Sequence, residues 1–245
     1  DGSEALELKP IYVPLTEMYD HFEALKPFTD RGTVPVAVLP RVISDKQMED
    51  VSRMLKELHA KGVNEALVGN IGQILPARRA GMKLRGDFGL NVFNSYTLEM
   101  IRKMGFLSAT ASFELRIEQV RDLKKCMNTE LIVYGRLPLM VTEQCIISRS
   151  AGKCSCEVPN QLSDRTGSVF PVVREYEHRN VIYNAHKLFM ADKRSEICGA
   201  GLWGQRLMFT TESARECVMI AKSYRGDGDY RPNQLTRGLY GRGVE

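Results

Sequence analysis

Three of the chain's six cysteines fall within twelve residues, at Cys145, Cys154 and Cys156 in "EQCIISRSAGKCSC". Their C-x8-C-x-C spacing differs from the paired C-x2-C knuckles of zinc ribbons. Thiolates this close in sequence can nevertheless hold zinc or an iron–sulfur cluster once a fourth ligand arrives from elsewhere. His178, in "EYEHRNVIYN", is the nearest candidate along the chain. Three free thiols in one loop is the competing reading, and spacing alone leaves both open. Cys126 and Cys217 lie in helical patterns and read as packing residues, whereas Cys198 in "EICGAG" is ambiguous.

A second group stands at the ends of strand-like runs: Arg41, Asn70, Asn91 or Asn94, Glu114, Arg136 and Arg206. Glu114, closing "SATASFEL", is the acid placed to serve as a general base or metal partner. Arginines at one mouth suit an anionic substrate, because a guanidinium grips carboxylate or phosphate bidentately. For any single residue of this group, capping a helix or pairing with a neighbour is the commoner role. The four histidines form no HExxH pair, and no GxSxG, Walker or GxGxxG motif occurs between a strand and a helix.

These residues need a scaffold, and the hydrophobic pattern supplies one. From Val34 onward, short apolar runs alternate with helical patterns, the signature of βα units around a parallel sheet. The runs are 34–42, 64–70, 86–94, 106–115, 129–140 and 204–210, with residues 10–26 as a further, proline-bounded strand and helix. Helices are expected to begin after Ser44, Ser95 and Thr211 and to stop near Gly62, Gly81 and Gly105. The expected fold is α/β, a TIM-barrel-like (β/α) repeat lacking its first one or two strands, with an open α/β sheet as the alternative. Residues 1–33 read as a linker and an irregular first unit, and 34–245 as the barrel-like domain. Between about 141 and 200 the rhythm breaks into a small β-hairpin insertion that carries the cysteine trio and precedes the last strand.

Composition bounds the function. With 43% hydrophobic and 26% charged residues, the chain is of ordinary globular type, and six cysteines are too few for a disulfide scaffold. No apolar run approaches the roughly 18 residues of a membrane span, and no signal-peptide pattern opens the chain, so a reducing cytoplasmic setting is expected. A net charge of +4 permits an acidic partner such as RNA without demanding one.

Several segments together carry a family resemblance. "LNVFNSYTLEMIRKMGFLSATASFEL", "YGRLPLMVTEQC", "LSDRTGSVFPV", "RLMFTTE" and "LTRGLYGRGVE" resemble, in order, blocks of the collagenase-like peptidase family, unassigned peptidase family 32. The resemblance runs from about Val34 to Glu245 and implies a TIM-barrel-like core. It also implies one of two activities: the peptidase chemistry for which the family was named, or iron–sulfur-dependent hydroxylation of RNA bases or a small aromatic. In members of the second kind, four cysteines bind a [4Fe–4S] cluster. By that likeness Cys145, Cys154 and Cys156 are cluster or metal ligands, with zinc as the replacement. The chain departs from the pattern at Pro138 and Phe189, where the family places further cysteines. His178, Cys198 or a residue on a preceding segment must then complete the set, or the cluster has been lost.

The functions to be weighed are therefore a metal-dependent enzyme acting on RNA or a small anionic substrate, a peptidase acting on peptides, and a non-catalytic interaction module. In the first, Glu114 handles protons while Arg41, Arg136, Arg206 and Asn91 bind substrate. A homodimer and the C-terminal part of a longer chain are further expectations.

Overall fold

The computed structural model describes residues 9–242. The polar opening to Leu8 and the last three residues of "LTRGLYGRGVE" lie outside the described residues. The chain divides into two compact units.

The first unit comprises residues 1–132, 195–205 and 239–245. It contains β1 (Ile11–Pro14), α1 (Leu15–Asp20), α2 (Lys26–Thr29), β2 (Pro35–Val38), α3 (Asp45–Ala60), β3 (Glu65–Val68) and α4 (Ile74–Arg79). It continues with β4 (Lys83–Gly86), α5 (Ser95–Lys103), β5 (Ser108–Thr110), α6 (Ile117–Asp122) and the start of β6 (Asn128–Gly135). Six strands in sequence order pair in parallel, β1 to β6. The longest helix, α3, shows why. Ser44 and Gln47 form a capping box at its start, and Val51, Met54, Leu55 and Leu58 bury one stripe against the sheet.

The interior of this sheet holds charge as well as apolar side chains. Arg85 on β4 donates from Nε to Glu65 of β3 at 2.6 Å and from Nη1 to Ser108 of β5 at 3.0 Å. Ser108 donates in turn to Glu130 of β6 at 3.0 Å, and Tyr12 of β1 donates to the same carboxylate at 2.5 Å. β1 and β6 lie at opposite ends of the six-strand run, so a Tyr12–Glu130 hydrogen bond requires the sheet to curl strongly. The ring of Trp203 covers Arg85, its centroid 5.2 Å from the guanidinium carbon.

The second unit comprises 133–194 and 206–238. It takes up the end of β6 and adds β7 (Pro138–Thr142), α7 (Ile146–Ala151), β8 (Asn160–Ser163), β9 (Val169–Arg174), β10 (Asn180–Tyr183) and β11 (Lys187–Phe189). The chain continues through α8 (Arg194–Cys198) and β12 (Gly204–Met208) to α9 (Ala214–Arg225) and β13 (Leu235–Thr236). β7, β10, β9 and β8 form a separate antiparallel sheet in that order. The end of β6 pairs antiparallel with β11, which pairs parallel with β13.

The expectations fare unevenly. The α/β class and the run of parallel βα units are present, but a closed barrel is not formed among the described residues. A βα barrel needs every strand parallel, whereas β11 reverses direction against β6. The insertion is a four-stranded sheet, larger than a hairpin. Residues 129–140 are two strands, because Gly135 takes φ +129° and comes so close to the Met208 carbonyl that a Cβ would stand 2.1 Å from its oxygen. β4, Lys83–Gly86, lies ahead of the expected 86–94. Its lysine and arginine disguised it, since Arg85 points inward to the carboxylates. Two caps shift as well, from Ser95 to Asn94 and from Thr211 to Ser213. Cys126 lies beyond the end of α6, outside the helix expected for it.

Candidate metal centre

The second unit brings the three clustered cysteines together. Strand β7 leads into a turn ending at Cys145, the N-cap of α7, whose Sγ accepts from the Ser148 amide at 3.3 Å. Gly152, at φ +75°, ends the helix and sends the chain back through Cys154 and Cys156. The Sγ atoms lie 3.0 Å apart for Cys145 and Cys156, 3.1 Å for Cys154 and Cys156, and 3.9 Å for Cys145 and Cys154. Cys154 is exposed, Cys145 half-buried and Cys156 buried. Among the described residues this trio is the one group of three or more Cys, His, Asp or Glu side chains with ligand atoms mutually close enough for a metal.

The hairpin between β9 and β10 supplies the surroundings. Its turn is held by Glu175 N donating to Arg179 O and Arg179 N to Tyr176 O, both at 3.1 Å, with Glu177 in the left-handed region. Three consecutive residues leave this turn in different directions. His178, exposed, places Nδ1 3.8 Å from Cys154 Sγ. Arg179, buried, grips Glu143 bidentately at 2.6 and 2.9 Å. Asn180, fully buried, accepts from the Ile146 amide at 2.9 Å and turns Nδ2 toward Cys156 Sγ at 3.7 Å. Beneath them Ile147, Cys156 and Val172 form a small core with Ile146 and Ile182.

Two thiols differ in proton affinity. The Cys156 thiol donor and the Ser148 amide hold Cys145 below the ordinary thiol range. Burial, then its two sulfur neighbours, pushes Cys156 up to about 12. Cys145 is thus more readily ionised than Cys156.

The donor set is soft and suits a thiophilic metal. Thiolates around one tetrahedral ion with bonds of about 2.3 Å stand about 3.8 Å apart; the Cys145–Cys154 separation agrees with that value, and the two to Cys156 are shorter. Cysteines of a four-iron cluster each take a different iron and must stand farther apart. The trio therefore fits a single ion better than a [4Fe–4S] cluster.

The remaining candidates are dispersed. Arg136, in the second unit, donates from Nη1 to the carbonyls of Asn184 (2.9 Å) and Ala185. Arg206, also in that unit, lies half-buried on β12. Arg41, Asn91 and Glu114 belong to the first unit, exposed in loops that follow β2, β4 and β5. Asn91 is held at φ +51° in its turn, and the Arg41 guanidinium lies 5.4 Å from the Phe88 ring centroid. Phe88 in turn packs on Phe113 at 5.3 Å between centroids. Cys198 is exposed, with the Gln205 amide 3.9 Å away. Sequence reasoning missed Asn180 and Arg179, although they directly follow His178, because a polar pair beside a strand reads as surface.

The profile of Peptidase family U32 matches residues 21–225. The chain is 27% identical over 180 residues to the 23S rRNA 5-hydroxycytidine C2501 synthase of Escherichia coli (strain K12), covering 69% of this chain and 26% of that protein. The chain thus spans about a quarter of that relative's length. Among solved structures, the Bacillus megaterium QM B1551 spore cortex-lytic enzyme SleL aligns at TM-score 0.40 and 10% identity, covering 82% of this chain and 62% of that one.

Proposed function

This chain belongs to peptidase family U32, and from that premise we propose that it is part of a protein that modifies RNA bases and carries a thiolate-held metal in its second unit. The observation that carries this reading is the similarity to a relative named for hydroxylating a cytidine of 23S rRNA. Hydroxylation of a pyrimidine base is therefore the first reaction to test, and a cytoplasmic setting belongs to the same reading. No helix among the described residues is long and apolar enough to cross a membrane.

The first unit supports an RNA-facing role. Arg41, Asn91 and Glu114 all follow the carboxyl ends of parallel strands, where open α/β sheets and incomplete barrels alike bind ligands. There Arg41 lies over Phe88, which packs on Phe113, and bases stack readily on aromatic rings and guanidinium planes. In this reading Arg41 meets a phosphate, Asn91 reads a base edge and Glu114 exchanges a proton, while Arg206, in the second unit, is a separate candidate for a phosphate contact. Arg136 holds the β6–β7 junction through the Asn184 and Ala185 carbonyls. The peptidase reading has less support. The metal-competent group among the described residues is made of thiols, which lower the Lewis acidity that a hydrolytic zinc needs.

The test is nucleoside mass spectrometry of ribosomal and transfer RNA from the source organism, with and without the gene for the full-length protein. A hydroxylated pyrimidine is expected to disappear on deletion and to return on complementation. An unchanged nucleoside profile, with gelatin or peptide cleavage by the purified protein, would replace this reading by the peptidase one.

A further inference from the structure

We propose that Cys145, Cys154, Cys156 and Nδ1 of His178 bind one thiophilic ion, zinc foremost, as a closed structural site that ties the antiparallel sheet together. The inference rests on the thiolate-metal part of the reading above and is independent of its RNA part.

Three observations carry it. The first is distance: the 3.9 Å between Cys145 and Cys154 is that of two ligands on one tetrahedral ion, and Cys156, at 3.0 and 3.1 Å from them, has to draw back by under about 1 Å. The second is delivery of a fourth donor. His178 sits 3.8 Å from Cys154, beside the exposed edge of the trio, on a turn fixed by its own backbone hydrogen bonds. Nδ1 touches Cys154 alone, so closing the site requires this exposed side chain to turn toward the other two sulfurs. The third is the support around the ligands. The Ser148 amide faces Cys145 Sγ, Asn180 Nδ2 faces Cys156 Sγ, and the Arg179–Glu143 pair anchors the turn that presents His178. Such outer partners orient ligands and tune the metal.

Four protein ligands leave no open coordination position, which is the mark of a structural site. The need for one is visible. α7 has six residues, too few to persist alone, and β8 is mostly exposed. The ligands come from the N-cap of α7, the loop beyond it and the β9–β10 turn, so one ion joins three segments that share only a small apolar core. A disulfide would use two of the four groups and leave His178 without a purpose.

The experiment is metal and acid-labile sulfide analysis of the full chain purified without oxygen, followed by cobalt titration of the metal-stripped protein. One ion per chain, no sulfide, and a cobalt spectrum with thiolate charge-transfer bands and strong tetrahedral d–d bands are expected. His178→Ala, at an exposed position, should keep the fold and weaken cobalt binding by more than the roughly 10–100-fold that loss of an outer partner costs. His178→Cys should restore affinity and strengthen the charge-transfer bands. Iron and sulfide in equal multiples would overturn the single-ion site while sparing the thiolate metal. His178→Ala binding cobalt as the parent does would remove His178 from it. Absence of any bound metal, with three free thiols, would sink both.

Discussion

At the scale of single residues, the first unit's most consequential side chain is Arg85. It is buried between Glu65 and Glu130, with a side-chain exposure of 9% beside 14% and 4% for its partners. Removing one partner of a buried charge group leaves the others unpaired in a low dielectric. Arg85→Ala is therefore expected to destabilise the protein by about 3–5 kcal/mol in urea denaturation. Arg53, half-exposed and paired with Asp50 and Glu57 along α3, is the contrast. Arg53→Ala should leave the urea midpoint nearly unchanged, because water screens surface pairs. Equal losses in the two variants would show that Arg85 is not a keystone. Burial, rather than the number of ionic contacts, decides the difference.

At the scale of elements, the second unit hangs on Glu212, which stands just before α9. Its buried carboxylate accepts from the Tyr134 hydroxyl of β6 at 3.0 Å and from the Thr210 and Thr211 amides at 2.8 and 3.0 Å. It also pairs with Lys187 of β11 at 3.1 Å. Burial pushes its proton affinity up, but the amides and Lys187 outweigh burial and hold it below the ordinary carboxylate range. Burial and the same carboxylate push the Tyr134 hydroxyl far above its ordinary range, so it stays a donor. A depressed folded-state pKa gives stability that is present above the unfolded value, about 4.3, and is lost as pH falls through the folded value. The stability advantage of the wild type over Glu212→Gln should therefore be constant from pH 7 to about pH 5 and shrink below about pH 4.3. Denaturant titrations at several pH values check this, and an advantage that grows on acidification would refute the assignment.

At the scale of the molecule, the two units differ in what holds them. The first has a six-strand parallel sheet with apolar helices and a buried ionic interior. In the second, the β7–β10–β9–β8 sheet has short strands and a small core, and the metal proposed above is its main tie. Hydrogen exchange should show this. A strong chelator is expected to strip amide protection from residues 138–183 while leaving the strands between 35 and 132 as protected as before. Loss of protection in both regions together would mean that the ion acts on the whole chain, and no loss would mean that the sheet stands unaided. Local opening follows the local density of buried contacts, and the antiparallel sheet has few.

The βα rhythm, the α/β class, the stripe of α3 and the cysteine trio were all legible in the sequence, because each is set by residue type at short, regular spacing. β4 was not, since an inward arginine reads as surface until its carboxylates on β3 and β6 are seen beside it. The reversal at β11 was equally hidden, as strand direction is a matter of pairing, not of composition. Only tertiary structure brought His178, twenty-two residues beyond Cys156 in the chain, to the trio's edge, and only it separated Glu114, Arg41 and Asn91 into the other unit. Sequence determines which side chains can hold a metal; the folding of the β9–β10 turn back onto α7 decides which of them meet.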